Sequence, residues 1–459
     1  MIKIDKIKLN NFRFFVNDEE HSSFELNGNN MLVYGENGSG KSSLYKAFEL
    51  LAKINIDIDE FNENINVFKS QNTYIEFEFD NDKPSLRIDS DELSLENHDD
   101  FVKTLSVSKP MIEYKTLLNI SYSINKEGKK NLYSFFEKIL EDYPIDISDK
   151  KLLKELEDME YFSTFKNIIQ VELFDDINLF LERFNQNFKI TKIDLKGIDR
   201  KAYLEIDYFD KQLENYHTFL NEARLSALAI SIYFSIIKKQ FSYLGEDSLK
   251  ILVLDDLLIS LDMNNRLHLL NILKSEFSDF QIFFFTHDKA LFDIFKDKMS
   301  WKSYEIYVDN DGGFEKPFIK KSLNYFENAK KHFDEYDYPA CANYLRKEVE
   351  KIKEIKDKQE HSFHNENKIF KKLKKMLIQF DLTDESKSAE IRGKLMGFKK
   401  GLEKDASVEI DLKDIRSITD RILNPQSHDD NSKPLYKKEL EEAIDVINYL
   451  RKNLENPVE

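Results

Sequence analysis

The chain carries a single cysteine, Cys341, in 459 residues. One thiol excludes an intrachain disulfide and any cysteine-rich metal site, and it fits a reducing compartment. No apolar run approaches the roughly 20 residues that a membrane-spanning helix needs. Met1 leads into the alternating pattern of Ile2, Ile4, Ile7 and Leu9, which is not the charged-then-apolar order of a secretory signal. No heptad persists for the several turns that a long coiled coil requires, and no internal repeat is visible. Positive charge is outnumbered: Lys and Arg number 68 against 85 Asp and Glu, so 68 − 85 = −17. Such a global field opposes phosphate, and any contact with nucleic acid would need a local basic patch. The expectation is a soluble cytoplasmic protein, long enough for two or three domains with their own cores.

Against these absences stands one dense motif, Gly35-Glu36-Asn37-Gly38-Ser39-Gly40-Lys41-Ser42-Ser43. It follows the apolar run Met31–Tyr34 and precedes the amphipathic stretch Leu44–Leu51, giving strand, glycine turn and helix in the order of a P-loop. Glycines at 35, 38 and 40 let backbone N–H groups curl around phosphate oxygens where a Cβ would clash. Asn37, Gly38, Gly40, Lys41, Ser42 and Ser43 are therefore the candidate nucleotide-binding residues. Lys41 would reach the β- and γ-phosphates, Ser42 would ligate Mg2+, and the positive end of the following helix would add to both. The implied cofactors are ATP and Mg2+.

Along the chain, residues 1–34 read as strands. Period-2 alternation at Tyr74–Phe79 and Ser85–Ile88 predicts antiparallel pairing, and Met111–Leu118 carries a further apolar stretch. From about 131 to 188 the pattern is helical, residues 189–209 alternate as a strand, and a helix is expected over about 219–240. Lys250–Asp256 is a continuous apolar run ending in two carboxylates, and Gln281–Asp288 is a second such run with a polar tip. Both read as buried strands whose carboxyl ends face a ligand crevice. Asp309–Gly313 reads as a hairpin turn, and Lys316-Pro317 as the start of a boundary. Beyond it the pattern is almost wholly helical, and Lys-rich 366–375 reads as a solvated helix face.

These pieces complete a candidate ATPase site. Asp255 would hold Mg2+, Asp256 would polarise the attacking water, and His287 would contact the γ-phosphate. Together, Ile4, Ile7, Leu9, Phe12-Arg13, the P-loop, Leu252–Asp256, Ser260–Asp262 and Thr286-His287 resemble the RecF/SMC-type ABC ATPase heads over about residues 1–320. The resemblance implies an α/β ABC-type head, a mixed sheet plus a helical lobe (about 125–218) within a domain spanning 1–319. It also implies that Ser260–Asp262 is a loop crossing between paired heads, and that Asn221 and Arg224, at a helix entry, meet nucleotide held by the partner copy. Relatives mostly carry Glu where this chain has Asp256, whose shorter reach implies slow turnover. The helix entry Asn221-Glu222-Ala223-Arg224 replaces the usual Ser-Gly-Gly-Glu. That variant is similar to heads of bacterial anti-phage defence ATPases such as the RloC/PrrC anticodon nucleases and the PtuA subunit of Septu systems. No glutamine takes the Q-loop role, for which Tyr114-Lys115 stands in.

Residues 320–459 are expected to form an all-α domain. There Arg346 and Glu350 lie four residues apart on one helix face, and Arg421 and His428 follow much later. The latter pair resembles the Arg-x(4–6)-His motif of HEPN ribonucleases, and the Arg-x-x-x-Glu helix followed by a distant His resembles the nuclease module of the anticodon nucleases. Together they imply metal-independent RNA cleavage with Arg346, Glu350 and His428 as the preferred set and Arg421 as second choice. An exposed Arg–Glu pair is also an ordinary helix-surface feature, and Asn424-Pro425 reads as a helix stop. Three functions follow: an ATP-gated ribonuclease acting on tRNA or other RNA, an ATPase scaffold docking a separate nuclease, or a RecF-like DNA repair clamp. Each would work as a pair of heads.

Overall fold

In the computed structural model, residues 2–18, 21–95, 99–108, 110–113, 131–146, 151–197, 199–213, 215–243, 248–257, 261–310 and 313–362 are described, with isolated positions between 437 and 451. The chain divides into two compact units, Met1–Ser322 and Leu323–Glu459.

The first unit is a P-loop α/β head. Its strands are β1 (Ile4–Asn10), β2 (Ser23–Glu25), β3 (Met31–Gly35), β4 (Tyr74–Phe79), β5 (Leu86–Asp89), β6 (Met111–Glu113), β7 (Pro144–Asp146), β8 (Lys151–Leu152), β9 (Phe188–Lys196), β10 (Lys201–Tyr208), β11 (Lys211–Leu213), β12 (Ile251–Asp255), β13 (Gln281–Thr286), β14 (Lys302–Asn310) and β15 (Glu315–Lys321). Among the described residues they form a six-stranded sheet in the order β15-β14-β3-β13-β12-β6 and a four-stranded sheet in the order β2-β1-β4-β5. In the larger sheet β14, β3, β13, β12 and β6 are parallel and only β15 is antiparallel. The carboxyl ends of β3, β12 and β13 therefore open on the same edge.

Continuous apolar runs make this sheet the divider between two cores. Leu32, Tyr34, Leu252, Leu254, Ile282 and Phe284 face one core, together with the long helix Glu222–Tyr243 and the helical lobe. Their neighbours Met31, Val33, Ile251, Val253, Phe283 and Phe285 face the other, with the P-loop helix Lys41–Leu51 and the smaller sheet. The period of two thus assigns alternate residues of each strand to opposite cores. Helix Glu222–Tyr243 is apolar nearly all round because it is buried. Its Ser231 and Ser235 hydroxyls donate back to the carbonyls of Ala227 and Ser231, each at 2.7 Å. Gln281, fully buried, joins β13 to β1: its Oε1 accepts from the Ile4 amide (2.7 Å) and its Nε2 donates to the Ile4 carbonyl (2.8 Å).

Three expectations change. Residues 189–209 are two antiparallel strands, β9 and β10, which turn at 197–200, because Gly197 and Asp199-Arg200 break a run too long for one strand. The region 131–188 is not helical throughout, since β7 pairs with β8 between helices. The boundary begins later than Lys316-Pro317, which lies within β15 opposite Asp309 and Val308, and the units divide after Ser322 rather than after residue 319. Proline is tolerated there because β15 is an edge strand.

In the second unit, helix Tyr325–Asp334 is capped by Asn324 in a reciprocal box with Glu327, and Tyr338–Ser362 follows it. Phe326, Ala329, Cys341, Ala342, Leu345 and Val349 are buried with Leu440, Ala443 and Ile447. Burial pushes the Cys341 thiol up to about 12, so it stays protonated and inert. The expected helices between 366 and 423 fall outside the described residues.

Candidate nucleotide-binding site

The loop after β3 turns through Gly38 (φ 86°) and Gly40 (φ 110°), values that favour glycine. A Cβ on Gly40 would lie 3.1 Å from Phe14 Cδ1, so this glycine also admits the Arg13–Phe15 segment over the loop. Ser43, buried, accepts the Phe14 amide at 3.3 Å. Ser42 points outward and is exposed, as are Asn37 and Gly38. Helix Lys41–Leu51 starts at Gly40 with no side chain capping its first turn. An N-terminus left without a side-chain cap at the end of a glycine loop is a ready site for an anion.

Lys41 is 5 % exposed, and its Nζ donates to the carbonyls of Gly35 (2.6 Å) and Glu36 (3.2 Å). Burial lowers its pKa, against the pull of Asp256 and then Asp255, which hold it up. Those attractions place both carboxylates within electrostatic reach of the ammonium. Asp255 ends β12, nearly buried. Asp256, just beyond, has φ 49°, a left-handed conformation unusual outside glycine. This turn directs its Oδ1 to His287, accepting the backbone N–H at 2.9 Å and facing Nδ1 at 2.8 Å. The contact occupies Nδ1 and leaves Nε2 as the ring nitrogen for a ligand.

Behind His287, Asp288 caps helix Lys289–Lys298 by accepting the Leu291 amide at 3.0 Å. Burial raises the Asp288 pKa, but the Leu291 amide and the Arg266 guanidinium outweigh it and hold the carboxyl below its usual range. Arg266 and Asp288 were not singled out in the sequence. An Asp after a strand-end histidine and before a helix is a cap signal, whereas nothing in the sequence marks Arg266. A second unforeseen cluster surrounds Glu305 on β14. Its carboxylate takes Lys289 Nζ (2.8 Å), the Tyr307 hydroxyl and the Ser322 hydroxyl (2.7 Å).

At the other candidate positions, Asn221 Oδ1 accepts the Arg224 amide at 3.0 Å at the entry of helix Glu222–Tyr243. The Arg224 side chain turns onto β10, where Nη1 donates to the Tyr208 hydroxyl at 2.9 Å. Asp262 caps helix Met263–Glu276 through the Asn265 amide at 2.9 Å. Arg346 pairs with Glu350 at 3.0 Å in the second unit, both partly exposed. Ser260, Tyr114-Lys115, Arg421 and His428 lie outside the described residues.

No family model and no curated protein sequence matches the chain. Among solved structures, its fold is similar to the SmcHead bound to the C-winged helix domain of ScpA, with 13% identity and a TM-score of 0.45 over 70% of this chain and 98% of that one. It is similar too to the Smc head domain with an extended coiled coil bound to the C-terminal domain of ScpA, derived from Pyrococcus furiosus (14% identity, TM-score 0.43, 73% and 100% covered). A third is the SMC head domain from Thermotoga maritima (12% identity, TM-score 0.39, 70% and 100% covered). At these values the likeness says nothing of chemistry, which rests on the site itself.

Proposed function

We propose that the unit Met1–Ser322 binds ATP with Mg2+ and hydrolyses it, working as paired heads whose nucleotide state governs what the helical unit engages. The observation that carries this reading is the Asp256–His287 pair at the ends of adjacent strands, within the field of a P-loop lysine. The uncapped helix start and the inward-held Lys41 suit a triphosphate. Ser42 and Asp255 would hold Mg2+, which supplies charge neutralisation at the phosphates. Among the described residues no three His, Cys, Asp or Glu side chains gather as a resident metal site would. The ion would therefore share its coordination with nucleotide oxygens and water, as Mg2+ commonly does. Asp256 orients His287 and would offer carboxylate oxygen to a water, and His287 Nε2 would be the ring nitrogen left to meet the phosphates. Asn221 and Arg224 would meet nucleotide on the partner copy.

For the tail, a docking role is favoured over a ribonuclease of its own. Arg346 and Glu350 pair at 3.0 Å as half-exposed side chains, an ordinary helix-surface contact that needs no catalytic role to account for it, although the nuclease set would hold the same pair. The tail would then hold a separate nuclease, in the anti-phage setting that the sequence resemblance implies, while cleavage of tRNA or other RNA through Arg346, Glu350 and His428 is the alternative. Phosphate release from ATP by the purified chain, with and without Mg2+, tests the first claim. RNA cleavage by the same preparation tests the second.

A further inference from the structure

The polar cluster around Glu305 joins the P-loop edge of the head to the residue where the head ends. Tyr34 on β3 is flanked in one register row by Glu305 on β14 and Thr286 on β13. Tyr34 directly precedes Gly35 of the P-loop, and Thr286 directly precedes His287. Lys289 spans this row: its ammonium lies 4.9 Å from the Tyr34 ring centroid and 2.8 Å from Glu305 Oε2. The other carboxylate oxygen, Oε1, accepts the Ser322 hydroxyl at 2.7 Å. Ser322 is the last residue of the first unit, and Leu323 opens the second. We propose that Glu305 is a junction that carries the arrival of nucleotide at the P-loop to the helical unit, with Lys289 and Ser322 as its two arms.

The Ser322 arm has no slack. The Ser322 amide donates to the Ser303 carbonyl at 2.7 Å, and its hydroxyl accepts from Lys296 Nζ at 2.7 Å. Only Leu323 separates it from Asn324, which caps helix Tyr325–Asp334, and the Leu323 carbonyl accepts Asn328 Nδ2 at 2.9 Å. A shift of Ser322 is therefore passed directly to the start of that helix. The Lys289 arm is open to charge instead. The Glu305 side chain is 9% exposed and that of Lys289 41%, so the carboxylate is enclosed while the ammonium borders solvent. Asp293 Oδ1, 3.6 Å from the ammonium, is a second partner on the exposed side, so Lys289 has two arrangements within reach. Burial, Glu305 and Tyr34 raise the Tyr307 phenol, and Glu36 of the P-loop adds to them, so charge on the loop is felt in the cluster. A triphosphate on that loop attracts Lys289 and repels Glu305, and both effects are strong where water is excluded. The two oxygens of Glu305 belong to one rigid group, so losing Lys289 at Oε2 displaces the acceptor that holds Ser322. That difference between the two arrangements is what a ligand needs in order to shift them.

This inference rests on the nucleotide-binding reading above, and one experiment separates their failures. Hydrogen exchange of the amides of residues 323–335 is followed by mass spectrometry with and without Mg-ATP. The full-length parent, Ser322→Ala, Ser322→Thr and Lys289→Gln are compared, with ATP affinity measured by calorimetry. In the parent, Mg-ATP should change exchange over 323–335 by about fivefold or more, the low end of coupling between sites. Ser322→Ala cuts one arm and should lose that change, while its ATP affinity stays within about twofold, as for a substitution remote from the ligand. Ser322→Thr keeps the hydroxyl and should keep the response. Lys289→Gln cuts the other arm and should also lose the response, with exchange in the absence of nucleotide as in the parent. If Ser322→Ala responds as the parent does, or if the parent binds Mg-ATP without any change over 323–335, the inference is overturned and nucleotide binding stands. Should Ser322→Ala lose helix Tyr325–Asp334 outright, Lys289→Gln decides alone, and a parental response there overturns the inference. A parent that binds no Mg-ATP removes the nucleotide-binding reading itself, and this inference with it.

Discussion

One carboxylate oxygen, Asp256 Oδ1, holds His287 twice, from the backbone amide at 2.9 Å and from ring Nδ1 at 2.8 Å. The pair joins the ends of β12 and β13 along one edge of the sheet. Removing Asp256 would therefore do two things under the proposed function, withdrawing the carboxylate meant for the attacking water and freeing the imidazole to rotate. Asp256→Ala should slow hydrolysis by about 10²–10⁴, the range of general acid–base contributions, while Asp255 and Ser42 keep Mg-ATP bound. ATP-bound paired heads should then accumulate. Sedimentation of the variant with and without ATP checks this, and equal mass in both conditions would mean that pairing does not depend on nucleotide.

The loop glycines should differ in kind. Gly40→Ala places a Cβ 3.1 Å from Phe14 at φ 110°, so both contact and backbone strain resist it. A loss of about 1–3 kcal/mol is expected, together with nucleotide binding. At Gly38, where an added Cβ meets nothing within 4 Å, only the positive φ counts, and the loss should be smaller, about 1 kcal/mol. Paired urea denaturation curves decide the order, and a reversed ranking would contradict the packing of Phe14 over the loop.

Glu305 sets an acid limit on the head. Burial raises its pKa, but Lys289, Tyr307 and Ser322 outweigh that and bring it down to about 2 from the usual 4.5. A carboxyl depressed on folding contributes stability above its unfolded pKa and loses it as pH falls through the folded value, here between about 4.5 and 2. The contribution near neutral pH is of the order of 3 kcal/mol. Glu305→Gln should destabilise by roughly that much near neutral pH, and the gap to the parent should close toward about pH 2. Denaturation at several pH values reads it. A gap constant across that window would mean that the cluster does not act through its charge.

Much of the head was legible in the sequence because its signals are local. The P-loop has fixed spacing, and β12 and β13 are apolar runs with polar tips, so Asp255, Asp256 and His287 could be placed from their own neighbourhoods. The turn between β9 and β10 was missed because alternation continues on both sides of Gly197, and period alone does not count strands. Pro317 misled for a similar reason, since proline marks a loop or an edge strand equally well. Arg266 and Glu305 were invisible because their meaning lies in partners 22 and 16 residues away along the chain, brought close only by the sheet.

In the tail, Arg346→Ala should cost well under 1 kcal/mol, as expected of an exposed pair. If the tail docks a partner, Arg346→Ala and His428→Ala should leave ATP turnover unchanged and the purified chain should not cut RNA. RNA cleavage by the parent that survives EDTA and disappears in both variants would restore the ribonuclease reading.

The central claim is that Lys41 and its loop hold a nucleoside triphosphate. Without that ammonium the phosphates would keep Mg2+ and the backbone dipoles but lose the one cation the loop itself supplies. Calorimetric titration of Mg-ATP into the parent and into Lys41→Ala tests this most directly, with circular dichroism confirming that both are folded. The account predicts saturable binding to the parent and no measurable heat for the variant. Equal affinity in a folded Lys41→Ala chain would contradict it.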